Sequence, residues 1–194
     1  MSSYGEQGAG RGKNGDKPRK AVVMVRIVAP TVEAMHRVGQ AIGTHAMPGD
    51  LVMLSGPLGA GKTTMTQGIA RGLGVSGHVS SPTFVIAQIH QGRFDLVHVD
   101  AYRLESMDEL DALDLDTSLD ESLTVVEWGT GKVESLASSR LEIDIARPLG
   151  GADSSTDLAA DEPRTLTLNP VGPRAEALAR SVVDAVGDLV ETAE

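Results

Sequence analysis

The stretch SGPLGAGKTT, residues 55–64, constrains this chain more than any other. It sets Gly56, Gly61, Lys62 and Thr63 in the order G-x-x-x-x-G-K-[ST]. Such a loop turns its backbone N–H groups inward around phosphate oxygens. The helix that leaves it aims the positive end of its dipole at the same anion. A strand must therefore enter the loop and a helix must follow it. The run LVMLSG suits a buried parallel strand ahead of the loop. Behind it, Met65, Ile69 and Leu73 recur on one side of a helix opening near Lys62, with Gly72 and Gly74 at its end. Gly59, Ala60 and Thr64 complete the candidate cradle. Lys62 would set a cation beside the β- and γ-phosphates, and Thr63 would offer a hydroxyl to Mg²⁺. The loop names a nucleotide as ligand. Kinases, GTPase switches, motors and partner-driving ATPases all use one, so the reaction has to be read elsewhere.

The remaining patterns build a fold around this loop. AVVMVRIV (21–28) reads as a strand. Thr31 can cap a helix with Glu33 in its first turn, and Val32, Met35, Val38 and Ile42 carry that helix to about residue 46. FVIAQIH and FDLVHVD flank QGR, which predicts an antiparallel hairpin turning near Gly92 and delivering Asp100 at its end. LTVVEW (123–128) is a further apolar strand ending at Glu127 and Trp128. RLEIDIA (140–146) and RTLTLNP (164–170) alternate in polarity and predict a second hairpin, joined by a long mobile loop over 148–163. Apolar residues from Ala175 to Val190 predict an amphipathic C-terminal helix over 173–192, packed on the sheet. The expected class is α/β: a P-loop NTPase-like three-layer fold with a mixed, mainly parallel sheet and antiparallel hairpin additions. With 194 residues, one domain over 21–194 is expected behind a disordered tail, residues 1–20, made basic by Arg11, Lys13, Lys17, Arg19 and Lys20.

Phosphate chemistry needs a carboxylate for the metal's water shell and a group that orients the nucleophile. Asp100 and Glu127 are the candidates, since parallel sheets bind ligands outside the carboxyl ends of their strands. Each also has a plainer reading: Asp100 as an acid satisfied by turn amides, Glu127 as the partner of a nearby arginine. HVSSPTF (78–84) lies where P-loop switches carry a γ-phosphate-sensing threonine, and Ser81 and Thr83 have suitable hydroxyls. His78, His90 and His98 lack metal-ligand spacing and read as structural or solvated. Eight acids lie between residues 105 and 121, and they read as a solvated face rather than a metal site.

Composition removes several function classes. There is no cysteine, hence no disulfide, thiolate metal site or cysteine nucleophile, in agreement with a cytoplasmic setting. No apolar run is long enough to span a membrane. The net charge of −10 repels nucleic acid at long range, so contact with RNA would run through a partner.

Four motifs in order, GPLGAGKTTMTQGIARGLG, VSSPTF, HVDAYRL and VVEWG, closely resemble the TsaE family, also called YjeE. The resemblance spans about residues 22–147 and extends to the final helix. It implies a small Mg²⁺-dependent P-loop ATPase that supports synthesis of N6-threonylcarbamoyladenosine in tRNA. Its partners would be the TsaD and TsaB proteins, with tRNA engaged through that complex. By the same resemblance Lys62 and Thr63 bind phosphate and Mg²⁺, Glu127 helps to coordinate Mg²⁺, and Asp100 is the acid of the HxDxYRL motif. Thr83 lies in a switch-like segment, and Thr31 matches a position near the adenine. The family loop commonly carries an acid where this chain has Pro57, outside the fixed positions of the cradle. A small-molecule kinase would need an acceptor pocket and an arginine-bearing lid, for which only Arg140, Arg147 and Arg164 are well placed. A GTPase would need an N-K-x-D stretch, which is missing. A nucleotide-sensing scaffold is the remaining alternative. No arginine finger is evident, so turnover is expected to be weak in the isolated chain.

Overall fold

The apolar run before the phosphate loop becomes the middle strand of a seven-stranded sheet. The computed structural model of the chain describes residues 24–104, 119–147 and 162–191. In chain order these hold β1 (Val25–Ala29), α1 (Val32–His45), β2 (Leu51–Ser55), α2 (Lys62–Leu73), β3 (Ala87–His90), β4 (Leu96–Asp100), β5 (Leu123–Glu127), β6 (Arg140–Ala146), β7 (Arg164–Val171) and α3 (Pro173–Ala185). The strand order is β1-β7-β6-β2-β5-β4-β3. The four central strands, β6, β2, β5 and β4, run parallel, and β1, β7 and β3 add on antiparallel at the two flanks. The fold is thus α/β with a mixed sheet, and both expected hairpins are present.

Strand alternation divides the core into two layers. Val52 and Leu54 of β2, Val125 of β5 and Leu141, Ile143 and Ile145 of β6 point into the larger cluster, beneath α1, α2 and α3. Leu51, Met53, Val97, Val99 and Val126 point the other way. They meet a thinner layer built from Ala101, Leu104, Val133, Leu136 and Ala137. Asp50, in the turn before β2, is buried and held by Arg174 of α3 through contacts of 2.9 and 2.6 Å, which ties the last helix to the start of the central strand.

The phosphate-loop helix is seated by four glycines. On α1, a Cβ at Gly39 would lie 2.4 Å from the carbonyl oxygen of Met65, and one at Gly43 would lie 2.0 Å from that of Ile69. On α2, a Cβ at Gly68 would lie 2.5 Å from His36 O and one at Gly72 would lie 2.2 Å from Gln40 O. The two helices therefore cross with backbone against backbone, which is why residues of poor helix propensity occupy helix interiors. Gly72 belongs to this contact, and Gly74, at φ 77°, ends α2 as its left-handed cap.

Two boundaries differ from expectation. The strand expected from Phe84 begins only at Ala87. Phe84 and Val85 are exposed and Ile86 adopts φ 70°, so the chain turns there before it pairs with β4. The C-terminal helix, expected to residue 192, stops at Ala185 and is followed by a 3₁₀ turn over Gly187–Leu189. Val190 then makes a single bridge to Ile27 of β1, and Leu189 and Val190 pack half-buried against the core. The basic tail, residue 192, most of the acidic stretch and most of the 148–163 loop lie outside the described residues.

Gly43→Ala should destabilise the fold by about 1–3 kcal/mol, since overpacking outweighs the roughly 1 kcal/mol gain in helix propensity. Urea unfolding checks this, and a stabilised variant would contradict backbone contact between α1 and α2.

Candidate functional site

The loop between β2 and α2 takes its shape from backbone angles closed to most residues. Gly56, Gly59 and Gly61 have φ of 140°, 73° and 108°. A Cβ at Gly56 would also lie 2.4 Å from Ile145 O, so the loop passes too close to β6 for a side chain there. Ala60 is fully buried, and its carbonyl accepts a hydrogen bond of 3.2 Å from Nε of Arg164, which pins the loop to β7.

Lys62 folds back into this loop. Its Nζ donates to the carbonyls of Gly56 at 2.9 Å and Pro57 at 3.0 Å and stands 3.7 Å above the Trp128 ring. Burial holds its pKa below the usual 10.5, opposed by the nearby carboxylates of Glu127 and Asp100. Trp128 reaches this position through a left-handed backbone, φ 61°, and its ring meets Tyr102 edge-on at 5.3 Å.

The two candidate carboxylates sit side by side. Asp100 and Glu127 are paired residues at the carboxyl ends of the parallel strands β4 and β5. They serve different neighbours. The Thr63 hydroxyl donates to Glu127, 3.0 Å from Oε1 and 3.3 Å from Oε2. On the other side Glu127 Oε1 lies 2.9 Å from Nε2 of His98. Asp100 instead faces the 78–84 segment: its Oδ2 accepts from Thr83 Oγ1 at 2.5 Å and Ser81 Oγ at 3.3 Å, and its Oδ1 accepts from the Tyr102 N–H. Turn-amide satisfaction of Asp100 is thus real, but it engages only one oxygen.

Gly59, Gly61, Lys62, Thr63, Thr64, Thr83, Asp100 and Glu127 line one cleft of about 440 Å³, together with Leu58, Ser81 and Trp128. Gly56 and Ala60 shape the loop without lining the cleft. Thr31 stands apart: its side chain caps α1, accepting from Ala34 N at 3.1 Å. From that helix Met35 reaches the loop, and its Cε would lie 3.1 Å from a Cβ at Gly61. Glu127 has a histidine as its hydrogen-bond partner, not the arginine considered above. His98, expected to be structural or solvated, is fully buried and touches the site through its bond to Glu127. Its signal was its place two residues before Asp100, which on a strand puts both side chains on one face. Arg140 pairs with Glu142, Arg147 with Glu162, and Arg103 stacks on Phe84. No arginine among the described residues lines the cleft.

The donor set suits a Mg²⁺-nucleotide. No group of three or more acidic or histidine side chains that could cage a metal exists among the described residues. Mg²⁺ at nucleotide sites needs no such cage, because one or two carboxylates, phosphate oxygens and waters fill its octahedron. One hydroxyl bonded to one buried carboxylate, beside a glycine loop and an ammonium group, meets that sparser requirement. No helix of the described residues is long and apolar enough to cross a membrane.

The model of a family described as threonylcarbamoyl adenosine biosynthesis protein TsaE matches residues 29–151. A Streptomyces coelicolor protein named tRNA threonylcarbamoyladenosine biosynthesis protein TsaE is 51% identical over 144 residues, covering 72% of this chain and 93% of that protein. The Bacillus subtilis protein of the same name is 38% identical over 148 residues, covering 75% and 85%. The crystal structure of Bacillus subtilis YdiB superposes with a TM-score of 0.66 at 30% identity, covering 86% of this chain and 98% of that one.

The lowered pKa of Lys62 has a stability consequence. Just below 10.5 the unfolded chain holds a proton on this lysine that the folded chain has released, so stability rises with pH there. Urea unfolding between neutral pH and 10.5 should show this rise in the wild type and its loss in Lys62→Met.

Proposed function

The chain belongs to the TsaE family, and from that membership we propose that it is a Mg²⁺-dependent ATPase serving N6-threonylcarbamoyladenosine synthesis in tRNA. The observation that carries the nucleotide reading is the Thr63 hydroxyl, which opens the phosphate-loop helix and bonds both oxygens of a carboxylate at the end of the adjacent strand. Bound Mg²⁺-ATP supplies a γ-phosphoryl group for transfer to water. The loop N–H groups and the α2 N-terminus bind the phosphates. Lys62, which in the chain as it stands bonds the Gly56 and Pro57 carbonyls, would hold the β- and γ-phosphate oxygens, whose charge would offset what burial takes from its own. Thr63 would offer an oxygen lone pair to the metal while its O–H goes on donating to the Glu127 carboxylate. Asp100, steadied by Thr83 and the Tyr102 N–H, is the acceptor that orients the attacking water. Thr83 and Ser81 thereby couple the 78–84 segment to the state of the γ-phosphate. By the family resemblance the base would lie toward the α1 N-terminus, where Thr31 caps the helix.

The cleft holds a cradle, a metal position and two carboxylates. No arginine among the described residues is available there to neutralise charge in the transition state, and such a group is worth about 10³ to 10⁵ in rate. The isolated chain is therefore a slow ATPase, and the TsaD and TsaB proteins complete its site, with tRNA reached through them.

ATP turnover should be feeble for the chain alone and rise at least tenfold with TsaD, TsaB and tRNA, and unchanged turnover would overturn the assignment of partners. Trp128, the sole tryptophan, packs under Lys62, so its fluorescence should change on ATP addition. The change should vanish in Lys62→Ala, and a normal titration by that variant would overturn the role of the lysine.

A further inference from the structure

We propose that His98 is a positioning residue for the metal: it fixes the rotation of the Glu127 carboxylate, and so the hydroxyl that Glu127 presents. The inference rests on the Mg²⁺-nucleotide reading above and extends it to a side chain outside the cleft lining.

The case begins with cost. His98 is 0% exposed, in the middle of β4, a position that an aliphatic residue would fill without difficulty. Its Nδ1 is buried with no hydrogen-bond partner, so the imidazole carries an unmet polar atom in the core. The ring of His90, on the neighbouring strand β3, lies 6.4 Å away, tilted by 38°, and its Nε2 is unpartnered as well. The hydrogen bond of His98 in the described structure is the one from Nε2 to Glu127 Oε1.

The benefit lies in that one bond. The last torsion of a glutamate is soft and roughly two-fold, so a carboxylate held from one side alone swings about it. Thr63 holds Glu127 from the α2 side with similar distances to both oxygens, which leaves that swing free. His98 engages Oε1 from the β4 side and removes it. The carboxylate plane then sets the direction of the Thr63 O–H bond, and with it the direction in which the Thr63 lone pairs face. His98 touches neither the nucleotide nor the metal and acts through Glu127. Partners that orient metal ligands in this way change metal affinity by about 10- to 100-fold when removed.

Two variants separate positioning from mere burial. In His98→Gln an amide N–H can reach Glu127 from the place of Nε2. In His98→Asn the amide stops near the place of Nδ1 and leaves Glu127 unbonded. Both keep a polar group in the core. The measurement is ATP affinity as a function of Mg²⁺, with nucleotide binding in EDTA as control. We expect His98→Asn to weaken Mg²⁺ dependence about 10- to 100-fold. Binding in EDTA should stay at the wild-type level, and His98→Gln should recover most of the loss. In a Glu127→Gln background, His98→Asn should cost nothing further. Equal Mg²⁺ dependence of the Asn and Gln variants, or a full additional loss in the Glu127→Gln background, would overturn the proposal while leaving the nucleotide site intact. A wild type that binds no Mg²⁺-nucleotide would overturn the reading beneath it. Should His98→Asn fail to fold, wild-type Mg²⁺ dependence in His98→Gln supports the proposal and a 10-fold loss there overturns it.

Discussion

The site depends on one buried carboxylate. Glu127 is 3% exposed at the end of a central strand, where an unpaired charge would be costly. It is tolerated because Thr63 and His98 bond it and Lys62 stands close enough to feel its charge. Those three groups come from two elements, the phosphate-loop helix and the strand that ends in Asp100. Parallel pairing of β2, β5 and β4 holds the elements in register: Leu54 pairs with Glu127, and Glu127 with Asp100. A slip by one residue would turn Glu127 to the opposite face and break every one of these contacts.

The same register explains how the two carboxylates divide their work. They begin side by side, yet the environment separates them. Glu127 looks toward the helix that follows the glycine loop, Asp100 toward a segment with two hydroxyls of its own. The first arrangement is rigid, built on two strands and a helix that is seated backbone to backbone on α1. The second joins a strand end to a turn-rich segment whose Phe84 side chain is 86% exposed. One carboxylate bonded between regular elements and another bonded to a turn-rich segment suit the nucleotide-dependent switch proposed above.

Much of this was legible in the sequence because it is local. The phosphate loop obeys a fixed spacing, and the carboxylates follow apolar runs that could only be buried strands. The hairpins announce themselves by turn residues. The parts that were not legible depend on distant partners. The role of His98 exists only because β4 lies beside β5, and an isolated histidine in an apolar run carries no mark of that neighbour. The glycines at 39, 43, 68 and 72 look unfavourable for helices until the helices are crossed. The apolar residues after Ala185 keep a helical spacing, yet the helix ends at Ala185 and Val190 bridges to β1 instead. Trp128 follows a plain strand pattern, and its left-handed backbone appears only once the chain turns to cover Lys62.

The central claim is that the glycine loop and the Thr63–Glu127 pair form one site for a nucleotide with its magnesium. Calorimetric titration of ATP into the folded chain, with saturating Mg²⁺ and again in EDTA, tests it most directly. The account predicts saturable heat at one site per chain, with clearly tighter binding when Mg²⁺ is present. A folded chain that takes up no heat from ATP, or binds it equally well in EDTA, would contradict it.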